Sequence, residues 1–274
     1  ITDHGTMSGT IEFYKAARDA GIKPIIGMEA YVATRSRFDR DPQKDKARFH
    51  LTILAMNNQG YQNLIKLSSA ANLEGMYYKP RVDRELLEKY NEGLIILSGW
   101  ASSEVSESLR VDDYKQAVEI AKWYKNIFGD RYYLELQDHG HPDSTTNWDV
   151  QRKINDYLVK IGEELNIPLV VTCDGHYLDH DDQDSHEILL CVGTGSFLSD
   201  ENRMSLKDFE LHVTDPADII SRWQKDFPQA IANTKTIADR CNVELELGGI
   251  RIPTFPTPKG MDEKQLLDLL VYRG

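Results

Sequence analysis

The sequence predicts an α/β fold in which strands alternate with covering helices, and three observations lead there. Apolar residues recur in turn with periods of 2 and about 3.6 along most of the chain. The 274 residues are 41% hydrophobic and 28% charged, a globular balance at a length that supports a sizeable core. The three cysteines, Cys173, Cys191 and Cys241, form no Cys-x-x-Cys pair, so packing rather than a disulfide framework must hold the fold. No apolar run approaches the roughly 20 residues of a membrane helix. Ile1 leads directly into Thr2-Asp3-His4-Gly5 without a leader pattern, so a cytoplasmic location and no membrane partner are expected.

The elements follow in order. Ser8 to Ala20 reads as a helix stopped by Gly21, a residue favoured just past a helix end. Pro24 to Val32 reads as a strand, and Phe49 to Met56 as a buried one. Tyr61 to Ala71 has helical spacing, Asp83 caps a short helix ending near Tyr90, and Leu94 to Leu97 is the next strand. Asp112 or Asp113 starts a helix to Phe128, and Tyr132 to Leu136 is again a strand. A helix with Ile154, Leu158, Ile161 and Leu165 inward leads into Leu169 to Asp174. Such a β/α series either closes into a barrel or spreads into a doubly wound sheet. No Gly-x-Gly-x-x-Gly follows a strand, which leaves the dinucleotide-binding version little support. Residues 181–195 read as a helix with a glycine-rich exit, and Asp215-Pro216 as the start of another. Arg251 to Gly260, with three prolines, reads as an extended connector before a helix from Asp262 to Tyr272. The expected division is 1–250 and 251–274, the second part being a connector and the start of a following region.

Charge is uneven. Lys plus Arg number 32 and Asp plus Glu 44, a net charge of −12 that lies wholly in the second half, since residues 1–137 carry 19 of each sign. An acidic surface is a poor nucleic-acid platform. Any such contact is expected from the local basic excess between Arg35 and Arg48, with Arg35, Arg37, Arg40 and Lys44 as candidates. A solvated loop between two strands explains the same charges.

Several histidines and carboxylates stand at strand ends. Asp174-x-His176 follows the most apolar strand, and residues two apart on extended chain point the same way, so an oxygen and a nitrogen ligand can converge on one cation. Asp3-His4 precedes a helix, where an isolated acid and imidazole carry less weight. Glu29 interrupts an apolar strand, and a buried carboxylate demands a metal or a salt bridge, although an edge position facing water would also accommodate it. His50 lies near the start of its strand rather than the end, which favours a core histidine. His139 and His141 read as turn residues or as phosphate or metal contacts, and His180 and His186 as part of a solvated acidic helix start. No nucleophile elbow, Walker loop or cysteine cluster occurs. The pattern points to metal-assisted phosphoester hydrolysis with Zn or Mn, which mixed nitrogen and oxygen ligands suit.

At these residues the sequence resembles the polymerase and histidinol phosphatase (PHP) domain at the amino end of the bacterial DNA polymerase III alpha subunit. Ile-Thr-Asp3-His4-Gly, Pro-Ile-Ile-Gly-Met-Glu29, Phe-His50-Leu-Thr-Ile-Leu-Ala and Thr-Cys-Asp174-Gly-His176 match the family's metal motifs. Tyr77-Tyr-Lys-Pro-Arg-Val-Asp83, His186 to Gly195 and Ile252-Pro-Thr-Phe-Pro256 single out the polymerase branch. The resemblance implies a distorted (β/α)7 TIM-like barrel with up to three metal ions at the carboxyl ends of its strands. It puts His4, Glu29, His50, Asp174 and His176 on ligand positions, with Asp3 supporting them from behind. The family's opening strand, with its His-x-His pair, would precede Ile1. Trp100 stands where many relatives have a cysteine ligand, and an indole can only donate, so fewer than three ions are expected. The implied parent is a DNA-directed DNA polymerase whose nucleotidyl-transfer site, with its Mg, lies beyond Gly274. The implied activity of this part is 3′–5′ exonuclease or phosphoesterase cleavage. The alternative is a degraded scaffold that stabilises the polymerase and docks a separate proofreading exonuclease.

Overall fold

Gly21 ends the first helix, α1 (Thr10–Asp19), as its position predicts, with φ at +70° and no neighbour to resist the turn. The structure, a computed structural model, describes residues 1–140, 146–249, 252–253 and 255–274, with the backbone alone at 146–148. It divides into two compact units, Ile1–Val243 and Glu244–Gly274.

In the first unit, β1 (Gly27–Ala33) and β2 (Arg48–Ala55) pair antiparallel across a loop that holds no helix, so they form a hairpin rather than a β/α step. Asn57 caps α2 (Asn58–Leu73) by accepting from the Gly60 N–H. Next come β3 (Met76–Tyr77), β4 (Lys79–Val82) and α3 (Arg84–Lys89), the last capped by Asp83 as expected. β5 (Leu94–Leu97), α4 (Glu104–Arg110), α5 (Tyr114–Phe128), β6 (Tyr132–Asp138), α6 (Thr146–Leu165) and β7 (Leu169–Cys173) continue the series. α7 (Gln183–Thr194), α8 (Pro216–Trp223) and α9 (Pro228–Arg240) complete it. In the second unit, a capping box between Asp262 and Gln265 starts α10 (Glu263–Arg273). Ile250, the last residue of the expected first part, and Arg251 and Thr254 of the expected connector lie outside the described residues.

The result is a mixed α/β fold with strand order β3-β4-β1-β2-β5-β6-β7. Closure into the distorted (β/α)7 barrel that the resemblance implies is not seen among the described residues. Among the described residues the sheet is open, with β3 and β7 at its ends, and β2 runs against β1 and β5. The reason is local, because 14 residues without a helix link β1 to β2 and leave no crossover to bring β2 back parallel. Residues 1–5 run parallel beside β1, through hydrogen bonds from Gly27 N to Ile1 O, Glu29 N to Asp3 O and Gly5 N to Glu29 O.

Strand alternation gives the sheet two unlike faces. Register puts Met28, Ala30, Leu51, Ile53, Ile96, Leu134 and Leu136 on one, packed beneath α2, α5 and α6. Each fully buried side chain there contributes roughly 1.5–3 kcal/mol. The other face is apolar at one end, where Leu54, Ile95, Leu97, Tyr133 and Val170 cluster with Ile237 and Cys241. Toward the opposite end it turns polar, carrying Glu29, His50, Glu135, Gln137 and Thr172. Those residues lead to the carboxyl ends of β1, β5, β6 and β7 and to the start of β2.

Candidate metal centre

Because β2 is antiparallel, the start of that strand lies at the rim where the parallel strands end. That placement reverses the sequence reading of His50, which sits opposite Tyr31 and one diagonal step from Glu29. His50 Nδ1 is 2.5 Å from Glu29 Oε1, and His4 Nδ1 is 3.4 Å from the same oxygen. One donor atom from each of His4, Glu29 and His50 lies within 4.8 Å of the others. Glu29 is not an edge residue: β1 is flanked by β2, β4 and residues 1–5, and the Glu29 side chain is 15% exposed.

Asp174 and His176 complete the rim after β7. The His176 ring is 6.2 Å from that of His4. Its Nδ1 is 2.9 Å from the Asp174 carbonyl, and since a carbonyl can only accept, Nδ1 is the donor in that bond. Burial pushes the Asp174 carboxyl up, against the pull of His176, while Glu29 adds to the rise. Asp3 contributes its backbone carbonyl to β1 and lines an outer pocket of ≈ 360 Å³ with His4, Glu29, Asp174 and His176. All five expected ligand positions therefore meet at one rim. The nitrogen and oxygen donors of His4, Glu29 and His50 fit a divalent cation.

Beside them opens a second cleft of ≈ 560 Å³, lined by Arg48, Lys79, Trp100, His139 and Phe209 as well as His4, His50 and His176. Trp100 is presented at the end of β5 by Gly99, whose φ is +83° and where an added Cβ would stand 2.8 Å from the His50 carbonyl. His139 is 2% exposed, and neither ring nitrogen has a hydrogen-bond partner among the described residues. Burial, with His176 adding to it, drives its pKa down to about 4, so the ring is neutral. Beneath the rim, burial raises Glu135 to about 7 although Thr172 Oγ1, at 2.6 Å, and the Gly99 N–H, at 2.9 Å, both donate to it.

The basic loop behaves differently from its charge count. Arg35 is clamped on Asp45 at 2.9 and 2.6 Å, and the buried Arg37 donates to Asp83, Glu74 and Glu85. Arg81, 1% exposed, ties the loop down through the carbonyls of Arg37, Asp39 and Asp45. Arg35, although exposed, and the buried Arg37 are thus paired with carboxylates rather than free cations, while Arg40 and Lys44 are exposed without one among the described residues. Arg48 and Lys79 are cations that line the cleft, 5.5 and 5.8 Å from the centre of the Tyr31 ring. The sequence offered no periodic signal for either. His186 also joins the rim, 5.5 Å from His176, whereas His180 pairs with His212 away from it. His141 lies outside the described residues.

A PHP-domain family model matches residues 1–139. The chain belongs to the PHP family. It is 41% identical to the DNA polymerase III subunit alpha of Thermus aquaticus over 283 aligned positions, covering all of this chain and 22% of that one. The corresponding protein of Borreliella burgdorferi is 39% identical over 260 positions, covering 94% of this chain and 22% of the relative. That of Treponema pallidum is 41% identical over 277, covering all of this chain and 23% of the relative. This PHP chain spans about a fifth of the length of the curated relatives it matches.

Proposed function

We propose that this chain is the PHP domain of a DNA polymerase III alpha subunit and that its rim hydrolyses the terminal phosphoester at the 3′ end of a DNA strand. The observation that carries this is the convergence of His4, Glu29 and His50, from three separate segments, within 4.8 Å and beside Asp174 and His176. The distorted (β/α)7 barrel belongs to the same reading, supported by a sheet whose helix-covered face opposes a face with an apolar plug and a polar rim. So does the division in which 251–274 connects to a polymerase region using Mg.

His4, Glu29, His50, Asp174 and His176 would hold Zn or Mn, with Asp3 supporting them. When bound, such a cation polarises a phosphoryl oxygen and lowers the pKa of a water molecule. The protein's own groups do the rest. Glu29 holds two imidazoles through one oxygen, which fixes their orientation, and the His176 Nδ1–H is fastened to the Asp174 carbonyl, which leaves Nε2 as the atom it would offer a cation. Arg48 and Lys79 supply positive charge to a phosphate in an otherwise acidic protein. DNA, the remainder of the polymerase and a cytoplasmic setting are the partners and compartment that this reading entails.

Trp100 favours a second reading. An indole cannot ligate a cation, so the rim lacks one donor and would serve as a scaffold that stabilises the polymerase and docks a separate proofreading exonuclease. The full-length protein decides between them. Elemental analysis should find one or two ions, and Glu29→Gln should abolish degradation of a 3′ single-stranded end while primer extension persists. Equal degradation by both proteins, or none by the parent, would leave the scaffold.

A further inference from the structure

The cleft next to the metal-site residues has a composition that cation binding does not require. Trp100, His139 and Phe209 meet pairwise edge-to-face, with ring centroids 5.0–6.3 Å apart and interplanar angles of 71–82°. No two of them are stacked, so a planar ligand would displace no existing stack. His139 is buried among them, with neither nitrogen paired among the described residues, and a neutral imidazole presents one donor and one acceptor. A buried polar group without a partner is costly, so its retention points to something that pairs with it. The Watson–Crick edge of every nucleobase offers both a donor and an acceptor. Across the same cleft stand Arg48 and Lys79, neither with a carboxylate partner among the described residues, and Arg48 Nε is itself buried and unpaired. At ≈ 560 Å³ the space falls within the usual range for small-ligand pockets.

We propose that this cleft receives one nucleotide, with Trp100 and Phe209 against the base, His139 bonded to its edge, and Arg48 and Lys79 on its phosphate. The proposal rests on reading the rim as a phosphoester site and adds what the substrate is held by. It assigns Trp100 to the base rather than treating it only as a lost ligand. Because the donor and acceptor of one imidazole suit all four bases, the subsite reads the presence of a base and not its identity.

The test is equilibrium binding of the four deoxynucleoside monophosphates, deoxyribose 5-phosphate and inorganic phosphate to the full-length protein, in chelator. Chelation separates this subsite from the metal reading, which a parallel titration with Mn measures on the same variants. The four nucleotides should bind within a few-fold of one another and roughly tenfold or more tighter than deoxyribose 5-phosphate, the scale of base stacking on an aromatic ring. Trp100→Ala and His139→Phe should remove that tenfold difference and leave phosphate binding unchanged, while His139→Gln, which keeps a donor and an acceptor, retains part of it. Arg48→Ala with Lys79→Ala should weaken nucleotides and phosphate alike. His139→Phe should melt no lower than the parent, since it removes an unpaired polar group, and primer extension reports folding for every variant. Equal affinity for nucleotide and sugar phosphate, or nucleotide binding indifferent to Trp100 and His139, overturns the proposal while leaving the Mn titration to judge the metal site. Loss of Mn binding with nucleotide binding intact would sink the metal reading alone.

Discussion

Asp174 is held in a place that raises its pKa, chiefly through burial, so its charge is kept at a cost to folding. Asp174→Asn should therefore lower metal affinity 10- to 100-fold or more without lowering the melting temperature, as metal titration beside a thermal melt will show. Two other buried groups act on stability with opposite signs. Glu135 is raised to about 7, so the stability it contributes is full below about 4.5 and is lost as pH rises through 7. His139 is lowered to about 4, so its contribution is full above about 6.5 and is lost as pH falls toward 4. Each is on the order of 3 kcal/mol from a shift of two to three pH units, and between pH 4.5 and 6.5 they oppose. In chelator, Glu135→Gln should gain stability over the parent as pH rises from 5 to 8, and His139→Phe should gain as pH falls from 6.5 to 4.5. Parallel melting curves for variant and parent would refute the assignment. At this scale Glu29, Asp174 and His176 were legible, because a carboxylate or a ligand pair at a strand end is rare enough to notice. Glu135 carried the same signal within Tyr-Tyr-Leu-Glu-Leu-Gln and was passed over. For His139 the sequence leaves a turn residue and a phosphate or metal contact both open, because its burial comes from Trp100 and Phe209, which are distant in sequence.

The loop of residues 34–47 shows why a charge count misleads at the level of elements. Arg37 looks like one of six cations in a solvated run, yet its guanidinium is buried against Asp83, the residue that also caps α3. Arg37→Ala should destabilise by about 3–5 kcal/mol, because it strands a buried carboxylate. Arg40→Ala and Lys44→Ala should stay within about 0.5 kcal/mol, as exposed positions do, and denaturant unfolding of the three variants checks the contrast. Helix positions were the most readable part of the chain, since Asp83, Asp113, Asp215 and Gly21 mark their ends by local chemistry. Strand direction was not readable. Nothing in Phe49-His50-Leu51 records that β2 runs against β1, and that direction alone moves His50 from the far end of the sheet to the rim.

Across the whole chain, the fold separates two jobs on one face of the sheet. An apolar cluster closed by Ile237 and Cys241 holds one end, and largely buried ionisable groups bordering a cleft occupy the other. A cation that binds this rim only in the folded state should stabilise it measurably. At a hundred times the dissociation constant the gain is about 2.7 kcal/mol, or roughly 5–10 °C for a unit of this size. Melting with added Mn and then with chelator should show that interval. The α/β class was evident from periodicity, whereas closure was not, because whether the sheet ends meet depends on geometry that no single segment encodes. His4, Glu29 and His50 all lie within the first 50 residues, while Asp174 follows 124 residues after His50. At the usual pace of bacterial and eukaryotic ribosomes that interval is roughly 6–25 s. A nascent chain thus presents three donors, brought together by neighbouring segments, long before the strand that supplies the other two has been made.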